Sequence, residues 1–355
     1  IDQRAHKVEI HQPDGRNDIL EQIEHGALSV VGGYKALGRL YRGIICKELR
    51  QYVLLGDPAG MTRGISGDED DRLVFTEENP WRELTTAAHL AAVARVLRGF
   101  NNTLSKESLK AATGLFLSSE TGRKLVEGKV TAGEQGAFSR GMICAGLHAA
   151  AELLLATEDD IYLDALWENR EFFFEYAPEI GWVGARIADH MEKGFLEALH
   201  DSLLPEKEKL EKDCASSPYG VPYRSMVYGA GWGLQGMAFR YYFLHQAFPD
   251  LFGREFLEKA LNFVLGCHPG SNTASFASGV GAKSQTIAYG QNRADWSYIP
   301  GGVVSGTALI QPDFPELLEY PFLWQQAEYV LGGGSSNYLF LVLAVIDAQK
   351  RAGER

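Results

Sequence analysis

The sequence lacks any apolar run that approaches the ~20 residues a membrane-spanning helix needs. Positive charge is also scarce: 34 Lys and Arg residues against 46 Asp and Glu residues give a formal net charge of -12. That charge would repel the polyanionic backbone of a nucleic acid, whereas a neutral or cationic substrate is compatible with it. The composition therefore predicts neither a membrane span nor a nucleic-acid partner.

Cysteine is equally sparse, with four residues in 355. Cys46, Cys144, Cys214 and Cys267 are widely spaced and form no CxxC pattern. This argues against a disulfide-dense scaffold and against a cysteine-type zinc site. The acidic run at residues 68–71 does not have the spacing of an EF-hand, so a structural calcium ion is possible there but not supported. We therefore expect no cofactor and no metal.

Strand-like segments are rare as well, because helical periodicity dominates the chain. The convincing β candidate spans residues 41–55 and could form a hairpin. About ten helices are predicted, among them residues 18–28, 85–97, 105–115, 139–157, 160–174, 183–199, 231–246, 254–264 and 337–351. Long helices in antiparallel pairs with almost no strands predict an all-α architecture of helical hairpins.

Two predicted segments are long and irregular, residues 206–230 and residues 267–315. Loops of that length are uncommon inside a compact domain and tend to carry function. Disorder is the alternative for the second segment, but Phe276, Tyr289 and Trp296 give it more apolar surface than a disordered segment usually has. We therefore predict that this segment forms a site.

Glu328 stands out near the C-terminus, between the aromatic-rich run 320–324 and the three glycines 332–334. Three consecutive glycines are unfavourable inside a helix, so an irregular bend is expected at this point. A carboxyl group packed against aromatic rings at a bend can have its pKa raised, as a general acid near neutral pH requires. The alternative interpretation is a surface glutamate that ends a helix before a glycine cap.

Several fragments, in the same order along the chain, resemble glycoside hydrolase family nine. Residues 217–223, Ser-Pro-Tyr-Gly-Val-Pro-Tyr, followed by the Gly-Trp-Gly of residues 231–233, are similar to the family's Asn-Pro-Tyr-Gly-Val-Pro segment and Trp-Gly helix start. Residues 263–269 resemble its Tyr-Ile-Leu-Gly-x-Asn-Pro signature, and residues 300–306 resemble its Gly-Gly-x-x-x-Gly-Pro loop. The Ala-rich stretches 85–94 and 150–157 resemble two of its barrel helices.

The resemblance implies an (α/α)6 toroid of helical hairpins with long active-site loops and at most a small β-hairpin. It implies one domain over residues 1–355, incomplete at its N-terminus. The implied activity is that of a glycosidase, which hydrolyses β-linked glucan-type oligosaccharides or polysaccharides with inversion. A bacterial origin and a secreted or periplasmic location are further implications of the resemblance.

The resemblance also assigns site residues. Glu328 occupies the position of the family's general acid, in a cleft ringed by aromatic side chains. Aromatic rings can stack on the apolar faces of sugar rings, while polar side chains bind the hydroxyl groups. The predicted substrate-binding residues are Arg293, Asn292, Trp296, Tyr289, Trp232 and Tyr223. For Trp232, at a glycine-flanked helix start, packing in the core is an equally good interpretation.

The chain departs from the family pattern in two places. A His-His-Arg element is replaced by Gln291-Asn292-Arg293, so Asn292 stands where a histidine is common. The family's catalytic base lies in an Asp-Ala-Gly-Asp segment, and none occurs between Ile1 and Asn17. The count of about ten helices against the twelve of six hairpins favours a missing front end, and a further N-terminal domain is then possible. The other interpretation is that the base has been lost or replaced, with Asp295 and the acidic run 68–71 as weak substitutes.

Two alternative functions stay open. The absent base segment is compatible with a non-catalytic toroid that binds saccharides. A polysaccharide lyase on a related toroid would need a Tyr or His base facing a neutralised uronate, and Asn292, Arg293 and Tyr298 leave that open.

Overall fold

The computed structural model describes residues 13–46, 72–76, 78–128, 130–133, 136–222, 229–270, 273–284, 301–305 and 333–353. The chain divides into two compact units, Ile1–Tyr176 and Ala177–Arg355, called unit 1 and unit 2 below. Helices predominate in the described ranges of both units. The prediction of one domain over residues 1–355 stays a prediction.

Unit 1 contains seven α-helices and one strand pair in its described residues. These are α1 (Asp18–Leu37), β1 (Tyr41–Cys46), β2 (Arg72–Thr76), α2 (Pro80–Val96), α3 (Asn102–Ser118), α4 (Glu120–Val126), α5 (Arg140–Thr157), α6 (Asp160–Glu168) and α7 (Glu171–Glu175). Asparagine side chains cap the first turns of the three long N-terminal helices, since Asn17, Asn79 and Asn101 each accept a backbone N–H from the following turn.

The predicted hairpin at residues 41–55 is half correct. The strand β1 forms, but it pairs antiparallel with β2, which the sequence did not suggest. Residues 47–55 lie outside the described residues. Any strand in the second half of the predicted hairpin is therefore still a prediction.

Small side chains make the helix contacts of unit 1. Alanines line the buried faces of α2, α3 and α5, among them Ala87, Ala91, Ala111, Ala149 and Ala150. Such small residues let the helix backbones approach closely. The Ala-rich stretches noted in the sequence are therefore the buried contact faces of these helices. The prediction of helices at 85–97, 105–115 and 139–157 is confirmed by α2, α3 and α5.

Unit 2 is built around aromatic rings. Its described elements are α8 (Ala177–Ile187), α9 (Phe195–Ala215), α10 (Ala230–Ala247), α11 (Glu255–Val264), β3 (Ala274–Ser275), β4 (Lys283–Ser284) and α12 (Gly333–Gly353). Trp182, Phe239, Phe243 and Phe340 contact one another with ring centroids 4.7 to 5.9 Å apart. This cluster holds α8, α10 and α12 together.

Two predictions for the middle of the chain were wrong. The single helix predicted at 183–199 is broken, because α8 ends at Ile187 and Gly194 adopts φ 95 directly before α9. A positive φ is accessible to glycine at little cost, so the chain can turn there. The segment predicted as irregular from residue 206 is instead helical as far as Ala215.

The C-terminal helix begins earlier than predicted. Gly333 and Gly334 are the first residues of α12, so two of the three glycines start a helix. The described residues contain twelve α-helices, and the helix count therefore gives no support to a missing front end. None of the helices in the described ranges combines the length and the apolar character that a bilayer crossing requires.

Candidate functional site

Backbone hydrogen bonds tie the long segment 267–315 to the start of α10 and the end of α11. The N–H of Phe276 donates to Val264 at 2.8 Å, and the N–H of Val304 donates to Phe276 at 2.9 Å. The N–H of Trp232 then donates to the carbonyl of Ser305 at 3.3 Å. The described parts of this segment are thus anchored to α10 and α11. The contact between the glycine loop of residues 300–306 and the Trp-Gly helix start is the hydrogen bond between Ser305 and Trp232.

The other two motifs of unit 2 contact each other through aromatic rings. The Tyr219 ring lies 4.4 Å from the ring of His268 and 5.3 Å from that of Phe263, both edge to face. Tyr219 is only 2% exposed. It is therefore a core residue that joins the segment 217–223 to the segment 263–269, and it does not line a cleft.

Trp232 lies between the start of α10 and the start of α12. Its side chain is half-buried, while its Nε1 atom is fully buried. A Cβ on Gly334 would stand 2.8 Å from that Nε1, so only glycine fits at this point of α12. This close approach gives a physical reason for part of the Gly-Gly-Gly run.

Two further buried polar residues are linked to this tryptophan, one by its position on α10 and the other by a backbone hydrogen bond. Gln235 follows Trp232 by three positions on α10 and is 0% exposed, and Ser305 is also 0% exposed. Within the described residues, the Nε2 and Oε1 of Gln235, the Oγ of Ser305 and the Nε1 of Trp232 have no hydrogen-bond partner. Neither Gln235 nor Ser305 was among the predicted site residues. The available signal was a glutamine on the otherwise apolar buried face of α10.

A cavity of about 340 Å³ opens on the opposite face of α10, next to α8 and α9. Its charged lining consists of Glu179, Glu206, Lys209, Asp213 and Arg240, and its described lining includes no aromatic ring. The Tyr241 hydroxyl donates to Glu206 at 2.9 Å, and burial raises the pKa of Tyr241 above its usual range. Without an aromatic platform, this cavity is a poorer candidate for sugar stacking than the surroundings of Trp232.

Of the predicted site residues, Trp232 is the one that the structure describes. Glu328, Arg293, Asn292, Trp296, Tyr289 and Tyr223 lie outside the described residues, and so do Asp295 and the acidic run 68–71. Their roles therefore stay predictions. The described ranges contain no group of three or more His, Cys, Asp or Glu side chains that could hold a metal ion.

The sequence profile of glycosyl hydrolase family 9 matches residues 52–307, which is 256 of the 355 residues. No curated protein matches the chain. The matched span includes Trp232 and all four motifs of unit 2, but it ends before Glu328.

Solved structures resemble the chain at low sequence identity. A family 9 glycoside hydrolase from Bacteroides ovatus has a TM-score of 0.64 at 16% identity, over 98% of this chain and 66% of that one. A thermostable endoglucanase variant from Alicyclobacillus acidocaldarius gives 0.59 at 16% identity, over 87% and 61%. The endoglucanase of the termite Nasutitermes takasagoensis gives 0.59 at 17% identity, over 93% and 84%.

These identities show likeness of fold. The predicted class, the all-α (α/α)6 fold of helical hairpins, is confirmed by the family match and by these structures. The chain spans less than two thirds of the length of the first two structures.

Proposed function

The chain belongs to glycosyl hydrolase family 9, and from that premise we propose that the intact protein hydrolyses β-linked glucan-type saccharides with inversion. The observation that carries the proposal is the family match over 256 residues. Two of the structurally similar proteins are endoglucanases, and we extend that substrate class to this chain. A secreted or periplasmic location is part of the same proposal.

Glu328 is the proposed general acid. Inverting glycosidases place two carboxyl groups roughly 6.5–9.5 Å apart, one to protonate the leaving oxygen and one to activate water. Glu328 precedes Gly333 by five residues, and five residues of chain span at most about 18 Å. Since α12 begins beside Trp232, chain length is compatible with an acid near that ring.

Trp232 is the proposed stacking residue. Its indole is partly exposed, and the backbone bond to Ser305 and the contact with Gly334 fix its position. An indole held from two sides can bind the apolar face of a sugar ring at little cost in side-chain entropy. The second carboxylate is not assigned within this chain, because no Asp-Ala-Gly-Asp segment occurs between Ile1 and Asn17. We propose that another part of the intact polypeptide supplies it.

The test replaces the acid by an amide that cannot donate a proton in the same way. Glu328→Gln should lower turnover of an unactivated β-glucan oligosaccharide by about 100-fold or more in the intact protein. Glu319→Gln, the same change nine residues earlier, is the matched control and should leave turnover unchanged. If the Glu328→Gln enzyme keeps activity within about tenfold of wild type, Glu328 is not the acid.

The second candidate is a saccharide-binding protein without catalysis, in which the partly exposed Trp232 binds the sugar. Calorimetry with the same oligosaccharide separates the two functions. Binding with no reducing ends released by the intact protein would support the binder. Release of product with inverted anomeric configuration would exclude it.

A further inference from the structure

The polar atoms around Trp232 are unusual for a protein interior. Burying an amide or a hydroxyl without a hydrogen bond costs about 1–3 kcal/mol, and most buried polar side-chain atoms in native proteins have a partner. Gln235 has two such atoms and Ser305 has one, and none is partnered within the described residues. Both residues are completely buried.

The three residues lie close together in unit 2. Trp232 and Gln235 are three positions apart on α10, so they lie on the same face of the helix. Ser305 is joined to Trp232 by the backbone hydrogen bond from the N–H of Trp232. Gly231 packs tightly against the same segment, since a Cβ there would stand 2.8 Å from the Phe276 ring and 3.1 Å from the carbonyl oxygen of Ser305.

Together these atoms offer both kinds of hydrogen-bonding group. The Trp232 Nε1–H and the Gln235 Nε2–H are donors, the Gln235 Oε1 is an acceptor, and the Ser305 hydroxyl can act as either. A sugar hydroxyl also donates one hydrogen bond and accepts others. The indole reaches from the surface, where its ring is partly exposed, to the interior, where its Nε1 lies.

We propose that Trp232, Gln235 and Ser305 form a polar recess that receives a hydroxyl group of the bound saccharide, with Gln235 as a specificity-determining residue. The inference rests on the proposed function, because a saccharide must bind beside Trp232. A site that holds a substrate hydroxyl through buried polar groups discriminates strongly against an analogue without it, since those groups are then left unpaired. Gln235 should therefore decide which sugar hydroxyls the protein requires.

The test uses Gln235→Met, which keeps the length of the side chain and removes the amide. Without saccharide, the melting temperature should rise by about 2 °C, because an unsatisfied polar group is replaced by an apolar one. With an oligosaccharide that the wild type hydrolyses, such as cellotetraose, kcat/KM should fall by about 10-fold or more. Among monodeoxy derivatives of that oligosaccharide, the one that the wild type rejects most strongly should no longer be rejected by Gln235→Met.

Ser108 provides a matched control in unit 1. It is also 0% exposed with an Oγ that has no partner in the described residues, and it lies on α3. Ser108→Ala should raise the melting temperature in the same way and leave kcat/KM and the deoxy preference unchanged. Ser305→Ala is a second variant in the recess, and it should also lower kcat/KM. It provides the test if Gln235→Met does not fold.

Each outcome decides one point. If Gln235→Met is more stable but keeps kcat/KM and the deoxy preference within twofold of wild type, the recess has no role in binding and the inference is wrong. A lower melting temperature for Gln235→Met would mean that the amide is satisfied in the free protein, which also overturns it. If the wild type neither binds nor hydrolyses any β-glucan oligosaccharide, the proposed function is wrong, and the inference about the recess is then wrong as well.

Discussion

Unit 1 and unit 2 differ in how their buried side-chain amides are satisfied. In unit 1, Glu152 is 3% exposed and accepts a hydrogen bond from Arg95 at 2.8 Å, and the amide of the buried Asn169 donates to the carbonyls of Leu125 and Ala165. In unit 2, Gln235 and Ser305 are buried without such partners in the described residues. The described residues of unit 1 also contain buried polar atoms without a partner, among them the Oγ of the completely buried Ser108 and guanidinium nitrogens of the less buried Arg39 and Arg82. The protein itself satisfies the amide of Asn169, whereas the amide of Gln235 is the one that we propose binds a ligand.

The two units also differ in how their helices pack. Unit 1 brings helices together through alanine and glycine, whereas unit 2 fills the space between α8, α10 and α12 with aromatic rings. Close backbone contacts leave no room for an added methyl group. Substitutions of the glycines at such contacts should therefore have large effects on stability.

The largest effect is expected at Gly122 in α4. A Cβ there would overlap the backbone carbonyl oxygen of Phe116, which cannot move without disturbing the end of α3. Gly122→Ala should lower the free energy of unfolding by more than about 3 kcal/mol, as measured by chemical denaturation. Gly26→Ala is the control: it lies on the exposed side of α1 with nothing within 4 Å, and should stabilise by about 0.5–1 kcal/mol. Equal effects of the two changes would contradict the close packing of unit 1.

A somewhat smaller loss is expected when the buried ion pair is broken. Arg95→Met leaves the carboxylate of Glu152, whose side chain is 4% exposed, without its guanidinium partner. Breaking a buried pair costs about 3–5 kcal/mol. Because the Arg95 side chain is 30% exposed and solvent screens the pair, we expect a smaller decrease of about 2–3 kcal/mol in the free energy of unfolding.

Lys124→Met tests the specificity of that result, because Lys124 forms an exposed pair with Glu127 at 2.8 Å. It should cost less than about 1 kcal/mol. A similar cost for both variants would mean that burial of Glu152 does not set the strength of the first pair.

The smallest effect is a pH dependence in unit 2. His200 contacts Asp250 at 3.0 Å and Asp201 at 3.2 Å through its two ring nitrogens, and these hydrogen bonds, first that of Asp250, raise the pKa of His200 above 6.5. The stabilisation is fully present below the unfolded-state pKa and is lost as the pH rises through the higher folded-state pKa. His200→Asn should therefore lower the melting temperature at about pH 5.5 and leave it unchanged at about pH 9.

His25→Asn is the reference for that measurement, since His25 is an exposed residue on α1. Its effect on the melting temperature should be small, as for most substitutions of exposed residues. A loss for His200→Asn that is equally large at high pH would show that the ring contact with Phe248 matters more than the charge.

Much of the fold could be predicted from the sequence, and the errors have physical causes. The Ala-rich helices α2 and α5 were found because their apolar periodicity is strong. The second half of α9 was missed because its run of Glu and Lys residues resembles a solvated loop. Strand β2 was missed because its partner β1 lies 26 residues earlier, from Cys46 to Arg72, and such pairing leaves no local signal.

The sequence by itself determined the family and many of the helix positions, because motifs, caps and periodicity are local properties of a chain. The tertiary structure decided which of those motifs meet. Only there does the N–H of Trp232 find the carbonyl of Ser305, 73 residues later, and only there do Gln235 and Ser305 lack partners in the described residues. Whether a buried polar atom is satisfied depends on neighbours that are distant in sequence, and no local pattern records them.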